Sequence, residues 1–431
     1  VKDSQLKLIE VDRLRVGMFV HLDLGWTEHP FPFSSFKLRS AEQIQALREL
    51  GLERVRYSPE RSDVQPLPAR PAEAPGGAAP QPEPAEATTP EQAERRRRRD
   101  MLLAQQASLE RCERQFGDAS RTFRNVLHQV RAQPAEAVAE ASAMVQGMVE
   151  SMTGEREVAI RLLSEKAGEE TALHALNVTV LSVLLGRACG YDAASLAQIG
   201  LGALLHDIGK LDLPDRLRWA DEASAGSAAE RKLYHQHVEH GVRLLRTLAL
   251  PTLAAEILLQ HHEHADGSGY PAGLAGEQIG LGARVVSLVN QYDNLCNPAN
   301  PAQAITPHDA LAIMFARQRS HFDATTMAVF IRMMGVYPPG SVVQLNDQRY
   351  ALSVAVNPLR PLKPRVVVYE PEVPTEEALI LDLEDSQELG VQRAIKPLQL
   401  PRAVFDYLSP RKRMCYFFER SREQQEGLAA A

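Results

Sequence analysis

Eight of the chain's 13 histidines lie between residues 174 and 264, where an even spread over 431 residues would place fewer than three. Neutral imidazole is the commonest metal ligand, so this density points to metal ligation rather than to scattered surface residues. The spacings sharpen the reading. Glu170 and His174 stand four apart in a helical pattern and share one face. His206 and Asp207 are adjacent and lead into Ile208-Gly209-Lys210. Adjacent residues diverge by about 100° in a helix, so joint ligation calls for a helix end or a loosened turn, which Gly209 permits. Lys210 offers a point charge to a phosphate. His237 precedes Gly241 by about one helical turn, and His261-His262-Glu263 is a tandem imidazole pair. That pair opens the turn-rich run Asp266-Gly267-Ser268-Gly269-Tyr270-Pro271.

The candidate ligands Glu170, His174, His206, Asp207, His237, His261 and His262 mix imidazole and carboxylate with no cysteine. Such a set favours Fe, Mn or Zn engaged in hydrolysis over a structural zinc, and it exceeds what one ion needs. Two or more metals would bridge and activate water for in-line attack on phosphorus.

The elements that must position these residues are mostly helices. Amphipathic helical patterns run over 136–149 and 155–189 and dominate to about Gly335, after which β-rich runs at 342–345, 350–356 and 365–369 alternate with turns. Residues 1–62 read as a small α+β unit, with strand material over 11–24 around Gly17 and a helix over 40–51. Ser40 is the expected N-cap of that helix, with Gln43 three residues on, and Ile44, Leu47 and Leu50 mark its apolar face. A strand at 55–57 follows, and the aromatic-rich stretch 26–36 reads as a packed loop. Residues 63–90 form a Pro/Ala-rich linker expected to be disordered.

The remaining divisions are a helical connector at 91–154, a helical catalytic domain at 155–335, and a strand-rich extension and tail at 336–431. Arg95 to Arg99 form a basic run, but Glu91, Glu94 and Asp100 flank it, which favours a solvated helix start over a nucleic-acid or membrane patch. Leu102, Leu109, Phe116, Phe123 and Val130 repeat every seven residues, with Cys112, Ala119 and Val126 between them. This seam suits a homodimer through 91–133 and packing on its own domain equally.

Asp plus Glu number 55 against 48 Lys plus Arg, a formal charge of −7, so nucleic acid is not an expected partner. The four cysteines are far apart, which excludes a disulfide framework and fits a reducing compartment. No signal-peptide core and no run of about 18 apolar residues is present, so a cytoplasmic protein without a membrane span is expected.

The run His206-Asp207-Ile208-Gly209-Lys210, then His261-His262-Glu263, then Asp266-Gly-Ser-Gly-Tyr-Pro271 resembles the signature of the HD-GYP family, over about residues 155–340. Residues 1–62 resemble a small domain of unassigned role often found before HD-GYP domains. The resemblance implies a mainly α fold, built on an all-helical HD-type metal phosphohydrolase domain. It implies hydrolysis of the bacterial second messenger cyclic di-GMP to pGpG, to GMP or to both, with two or three divalent ions, Fe or Mn. It places metal at Glu170, His174, His206, Asp207, His237, His261 and His262, with Asp207 and Lys210 catalytic and Lys210 near the scissile phosphate. Gly269, Tyr270 and Pro271 then shape the substrate pocket, Tyr270 meeting guanine or ribose. Diguanylate cyclases are the implied protein partners.

Two departures stand out. Where the family has an Asp-x-x-Asp-Ala pattern, this chain reads Asn290-Gln291-Tyr292-Asp293-Asn294, so a metal position is Asn290 while Asp293 is kept on the substrate side. No basic residue occurs between Arg284 and His308, so the family's Arg-rich phosphate clamp is missing. Two functions therefore stand side by side: an active phosphodiesterase, and a degenerate domain that senses nucleotide or binds a partner. A generic nucleotide phosphohydrolase has no reason to carry the Gly-Tyr-Pro segment.

Overall fold

Val11 and Leu14, three residues apart, both reach the first core, and this spacing dictates a tight turn rather than a strand. The computed structural model describes residues 7–22, 35–38, 40–50, 52, 54–62, 64, 66, 90–153, 158–164, 170–218, 220–224, 226–386 and 388–420. The chain divides into two units, 1–87 and 88–431. In the first, β1 (Lys7–Glu10), β2 (Phe19–His21), β3 (Ser35–Lys37) and β4 (Arg54–Ser58) form an antiparallel sheet in the order β1-β4-β2-β3. Helix α1 (Ala41–Glu49) buries Ile44 and Leu47 in the core of Ile9, Met18, Val20 and Val55.

The strand expected over 11–24 is thus shorter: Val11–Arg13 is a 3-10 turn, and only Phe19–His21 pairs within the described part. Ser40 occupies the N-cap, yet its side chain makes no capping bond. The aromatic stretch lies outside the described residues except at 35–36, and the linker does so except at 64, 66 and 90.

The second unit opens with α2 (Pro90–Gln129) and α3 (Pro134–Thr153), separated at the expected Pro134. Strand β5 (Val158–Leu162) follows, then α4 (Glu170–Ala188), α5 (Ala193–Leu205), the short α6 (Asp215–Arg218), α7 (Ala228–Leu248), α8 (Thr252–Gln260) and α9 (Leu281–Cys296). Helices α10 (Pro307–Arg317) and α11 (Ala324–Met334) complete the helical body. Side-chain caps start several of them: Asp192 accepts from Ser195 N at 2.7 Å ahead of α5, and Ser227 from Glu230 N at 3.2 Å ahead of α7. Helix α4 is apolar on nearly every side, with Leu176, Val180, Leu181, Val183 and Leu185 fully buried, and it is the central post of the body.

The extension adds β6 (Val342–Leu345), β7 (Tyr350–Val356), β8 (Arg365–Val368), β9 (Ile380–Asp382), β10 (Val391–Ala394), α12 (Arg402–Leu408) and β11 (Tyr416–Arg420). It is built into the body. β11 pairs antiparallel with β5, which also pairs β7, in a sheet ordered β10-β6-β7-β5-β11. The seam of α2 is filled by this same body: Cys112, Phe116, Ala119, Phe123, Val126 and Val130 are buried, and Phe116 meets Phe417 edge-on at 5.9 Å. Burial of each large apolar side chain contributes roughly 1.5–3 kcal/mol, so a seam of this length fixes α2 on its own domain. Gln105, polar within the repeat, exchanges two 3.0 Å bonds with the main chain of Ile380. Arg95 to Arg99 are exposed, as a solvated helix face requires. Among the described residues no helix is long and apolar enough to cross a membrane.

Candidate metal centre

Helix α5 stops at Leu205, and His206 and Asp207 form the turn into a 3-10 helix, Ile208–Asp212. Asp207 has φ −96° and ψ 10°, the bridge conformation that turns its carboxylate to the same side as the preceding imidazole. The 3-10 helix lies on α7 with no space between the main chains: a Cβ on Gly209 would overlap His237 O and Gly241 N. Glycine at 209 is what allows Asp207 to stand beside His237.

The carboxylate of Asp207 faces two sets of imidazoles. Its Oδ2 lies 3.4 Å from His206 Nε2 and 3.6 Å from His174 Nε2. Its Oδ1 lies 3.5 Å from His237 Nε2 and 3.9 Å from His261 Nε2, and His262 belongs to the same cluster. Lys210 Nζ sits 2.7 Å from Oδ2.

Four of the five rings are fixed from behind. His206 Nδ1 donates to Ala203 O at 2.7 Å, His237 Nδ1 to Tyr234 O at 2.6 Å, and His261 Nδ1 to Leu258 O at 3.2 Å. A carbonyl only accepts, so the proton of each neutral ring is on Nδ1 and the lone pair is on Nε2. His174 follows the same rule with a carboxylate: its Nδ1 donates to Asp293 Oδ2 at 2.7 Å. The bare nitrogens then confront one another, His174 with His206 at 3.3 Å and His237 with His261 at 3.4 Å.

Electrostatics agree with the geometry. Burial holds the His261 and His262 imidazoles well below their ordinary value and pushes His237 down to about 4, so these rings are neutral at neutral pH. Burial opposes charge on Asp207, but Lys210 leads the neighbours that outweigh it and hold its carboxyl well below the usual range. Asp207 Oδ1 and His262 Nε2 are both buried with no hydrogen-bond partner. An anionic oxygen and several lone pairs converging without a proton between them form an acceptor-only site that a divalent cation satisfies. The donor set fits metal.

The other expected residues are distributed as follows. Glu170 opens α4 one turn before His174, and its side chain lies outside the described residues. Asn290 is buried on α9, its amide oxygen accepting from Asn294 Nδ2 at 3.0 Å. Asp293, expected on the substrate side, is fully buried instead. Its Oδ2 holds His174, and its Oδ1 accepts from Asn177 and Asn297, each at 2.8 Å. Such contacts orient a ligand ring and leave no oxygen for substrate.

The Gly-Tyr-Pro loop also departs from expectation. Tyr270 is stacked between His262, at 4.6 Å and 16°, and His235, at 3.7 Å and 14°, so neither ring face is open to a guanine. The reason is Glu263, buried, whose two oxygens accept from Ala272 N at 2.7 Å and Leu274 N at 2.9 Å and fold the loop back over His262. Gly269 is needed there because a Cβ would overlap His262 O and His264 N. Sequence reasoning did not assign Glu263 or His235 to the site. The glutamate's signal was its place directly after the tandem pair, whereas His235 had no periodic signal.

A cavity of about 320 Å³ opens beside His174, Asp207 and Lys210, and Gly269, Tyr270 and Pro271 are not among its lining residues. Leu173, Ile208, Arg218, Asp221, Asn294, Asn297 and Arg413 contribute to its walls.

Two family models match the chain, and the N-terminal one runs past the boundary between the two units. The family model described as an HD domain matches residues 157–326, and one described as a domain of unknown function, DUF3391, matches residues 6–141. The cyclic di-GMP phosphodiesterase PA4108 of Pseudomonas aeruginosa is 30% identical over 375 residues, covering 84% of this chain and 85% of the relative. The cyclic di-GMP phosphodiesterase response regulator RpfG of Xanthomonas campestris is 32% identical over 35% of this chain and 39% of its own. Among solved structures, the HDG"Y"P protein Bd1817 of Bdellovibrio bacteriovorus aligns over 75% of this chain and 97% of its own, with 16% identity and a TM-score of 0.43.

Proposed function

The chain belongs to the HD-GYP family of HD-domain phosphodiesterases, and from that membership we propose that it hydrolyses cyclic di-GMP to pGpG, to GMP or to both at a centre of two or more divalent ions. One observation carries the reading: the two oxygens of Asp207 face separate imidazole sets, His174 with His206 and His237 with His261 and His262. A carboxylate between two ligand sets is the arrangement a paired centre needs, and Glu170, one turn before His174, extends the first set by the family pattern. Imidazole and carboxylate ligands without thiolate favour Fe or Mn. When bound, the ions supply positive charge at the phosphoryl oxygens and lower the pKa of water.

The chain's own residues do the positioning. The carbonyls of Ala203, Tyr234 and Leu258 present three lone pairs to the centre, and Asp293 presents the fourth through His174. Lys210, tethered to Asp207, adds a cation where charge grows on the phosphate during attack. The Gly-Tyr-Pro loop packs over His262 and excludes water from it, while the cavity beside Lys210 receives the nucleotide. The test is hydrolysis of cyclic di-GMP by the metal-loaded protein and its Asp207→Ala variant. Loss of turnover beyond the roughly 100-fold that changes behind the ligands produce is expected; undiminished turnover overturns the reading.

Asn290 favours a second reading. An amide lacks the charge of the aspartate it replaces and does not readily bridge ions, so a domain with an incomplete centre would bind nucleotide without cleaving it.

A further inference from the structure

The family's Arg-rich clamp is missing from residues 285–307, yet three basic side chains line the cavity: Lys210, Arg218 and Arg413. Lys210 is committed to Asp207 at 2.7 Å and belongs to the metal end. The two arginines come from elsewhere, Arg218 from the end of α6 and Arg413 from the segment that leads into β11. We infer that Arg413, together with Arg218, forms the wall that binds the phosphate not undergoing cleavage in a substrate with two phosphodiesters. The inference rests on the cyclic dinucleotide reading above.

The position of Arg413 is built with care by the body of the domain. Its neighbour Met414 is held by Asn297, which accepts from Met414 N at 2.6 Å and donates to Met414 O at 2.9 Å. Asn177 donates to the same carbonyl at 2.8 Å and accepts from Tyr416 N at 2.8 Å. These two asparagines also hold Asp293 Oδ1, and Asp293 holds His174. One buried network therefore sets the register of the C-terminal segment and the orientation of a candidate ligand together. A strand needed only to close the sheet has no use for such a connection.

Charge points the same way. At the cavity Asp207 meets Lys210 at 2.7 Å through Oδ2 alone, and Asp221 accepts from the amides of Ser224 at 2.7 Å and Ala299 at 2.8 Å. Arg218 reaches Asp215 at 3.0 Å, but that carboxylate is 93% exposed and a pair of this kind binds weakly. Arg218 Nε is buried with no acceptor. A planar guanidinium presents paired donors that match two phosphate oxygens, which a lysine does not. A cyclic dinucleotide brings two phosphates, and only one at a time can sit at the metals.

The experiment is steady-state kinetics on the metal-loaded full chain with two substrates. Cyclic di-GMP has two phosphodiesters, and bis(p-nitrophenyl) phosphate has one. Arg413→Ala is expected to raise KM for cyclic di-GMP at least tenfold more than KM for the single phosphodiester, with the metal content of the wild type. Arg218→Ala, on a different element, is expected to show the same split, and Arg413→Lys to recover part of it. Equal changes of KM for both substrates, or loss of metal in both alanine variants, overturn the inference. A wild-type protein that cleaves bis(p-nitrophenyl) phosphate but neither binds nor cleaves cyclic di-GMP removes the substrate reading itself, and does so before any variant is made.

Discussion

Around Asp207 four of the five imidazoles have locked backs, three by a carbonyl on the preceding turn and one by Asp293. The wall of the cavity beside Lys210 is made differently. There Asp221 holds the amide of Ala299, Asn297 holds the main chain of Met414, and arginines arrive from α6 and from the segment before β11. Three of the locks around Asp207 lie within one stretch of chain, each carbonyl three residues before its ring, while the fourth joins α4 to α9. The wall depends on contacts between stretches of chain more than 70 residues apart. Apart from the shared network of Asp293, Asn177 and Asn297, the cavity wall can therefore change its residues without touching the imidazoles. Residues 285–307, part of which lines this wall, carry no basic side chain.

This contrast can be broken most severely at Gly209. Gly209→Ala places a methyl group against His237 O and Gly241 N and must push the 3-10 helix off α7. Overpacking against side chains costs about 1–3 kcal/mol, and main chain yields less readily. We expect a lower melting temperature and loss of bound metal; a variant with wild-type metal content would contradict the packing argument.

Asp293→Ala comes next. It frees His174 while leaving His237, His261 and His262 as they are, so metal affinity should fall roughly 10–100-fold at one set only. Titration of chelated protein should resolve a weakened site beside an unchanged one. Parallel weakening of both would mean that the sets are not separable.

Acid stability sharpens the same picture. His237 in the folded protein titrates at about 4 against 6.5 in the open chain. Between these values the unfolded chain holds the extra proton, so stability of metal-free protein falls as pH drops from 7 to 4 and levels off below. The decline from this one residue is about 3 kcal/mol. Denaturant unfolding at pH 7, 5 and 4 measures it, and flat stability would refute the neutral-imidazole account.

The smallest effect is expected on the wall. Asp221→Asn removes a charge that holds the amides of Ser224 and Ala299, and costs about 1–2 kcal/mol. KM should rise severalfold while metal content stays constant. A loss of metal instead would mean that Asp221 is coupled to the imidazoles, as Asn177 and Asn297 are through Asp293.

What could be read from the amino-acid sequence follows the same division. His206-Asp207 and His261-His262 are adjacent pairs, and Glu170 with His174 spans one turn, so short-range periodicity was enough to group them. The helical body and strand-rich extension were legible for that reason too, except at 158–162, where a helix was expected and β5 forms because it pairs with β7 and β11 far along the chain. Asn177, Asn297 and Arg413 were not, because the bonds that join them span as many as 239 residues. Asp293 carried a misleading signal: the family resemblance set it on the substrate side, and only its burial against His174 shows what it touches. The heptad stripe of α2 announced an apolar partner without saying that the partner was the chain's own core.

The measurement that bears most directly on the central claim is metal content per chain, taken together with cyclic di-GMP hydrolysis, on protein purified without oxygen. The account predicts two or more ions per chain and turnover to a linear product, with Asn290 tolerated. One ion or none, with cyclic di-GMP bound and intact, would contradict it and leave a nucleotide sensor built on the remains of a catalytic centre.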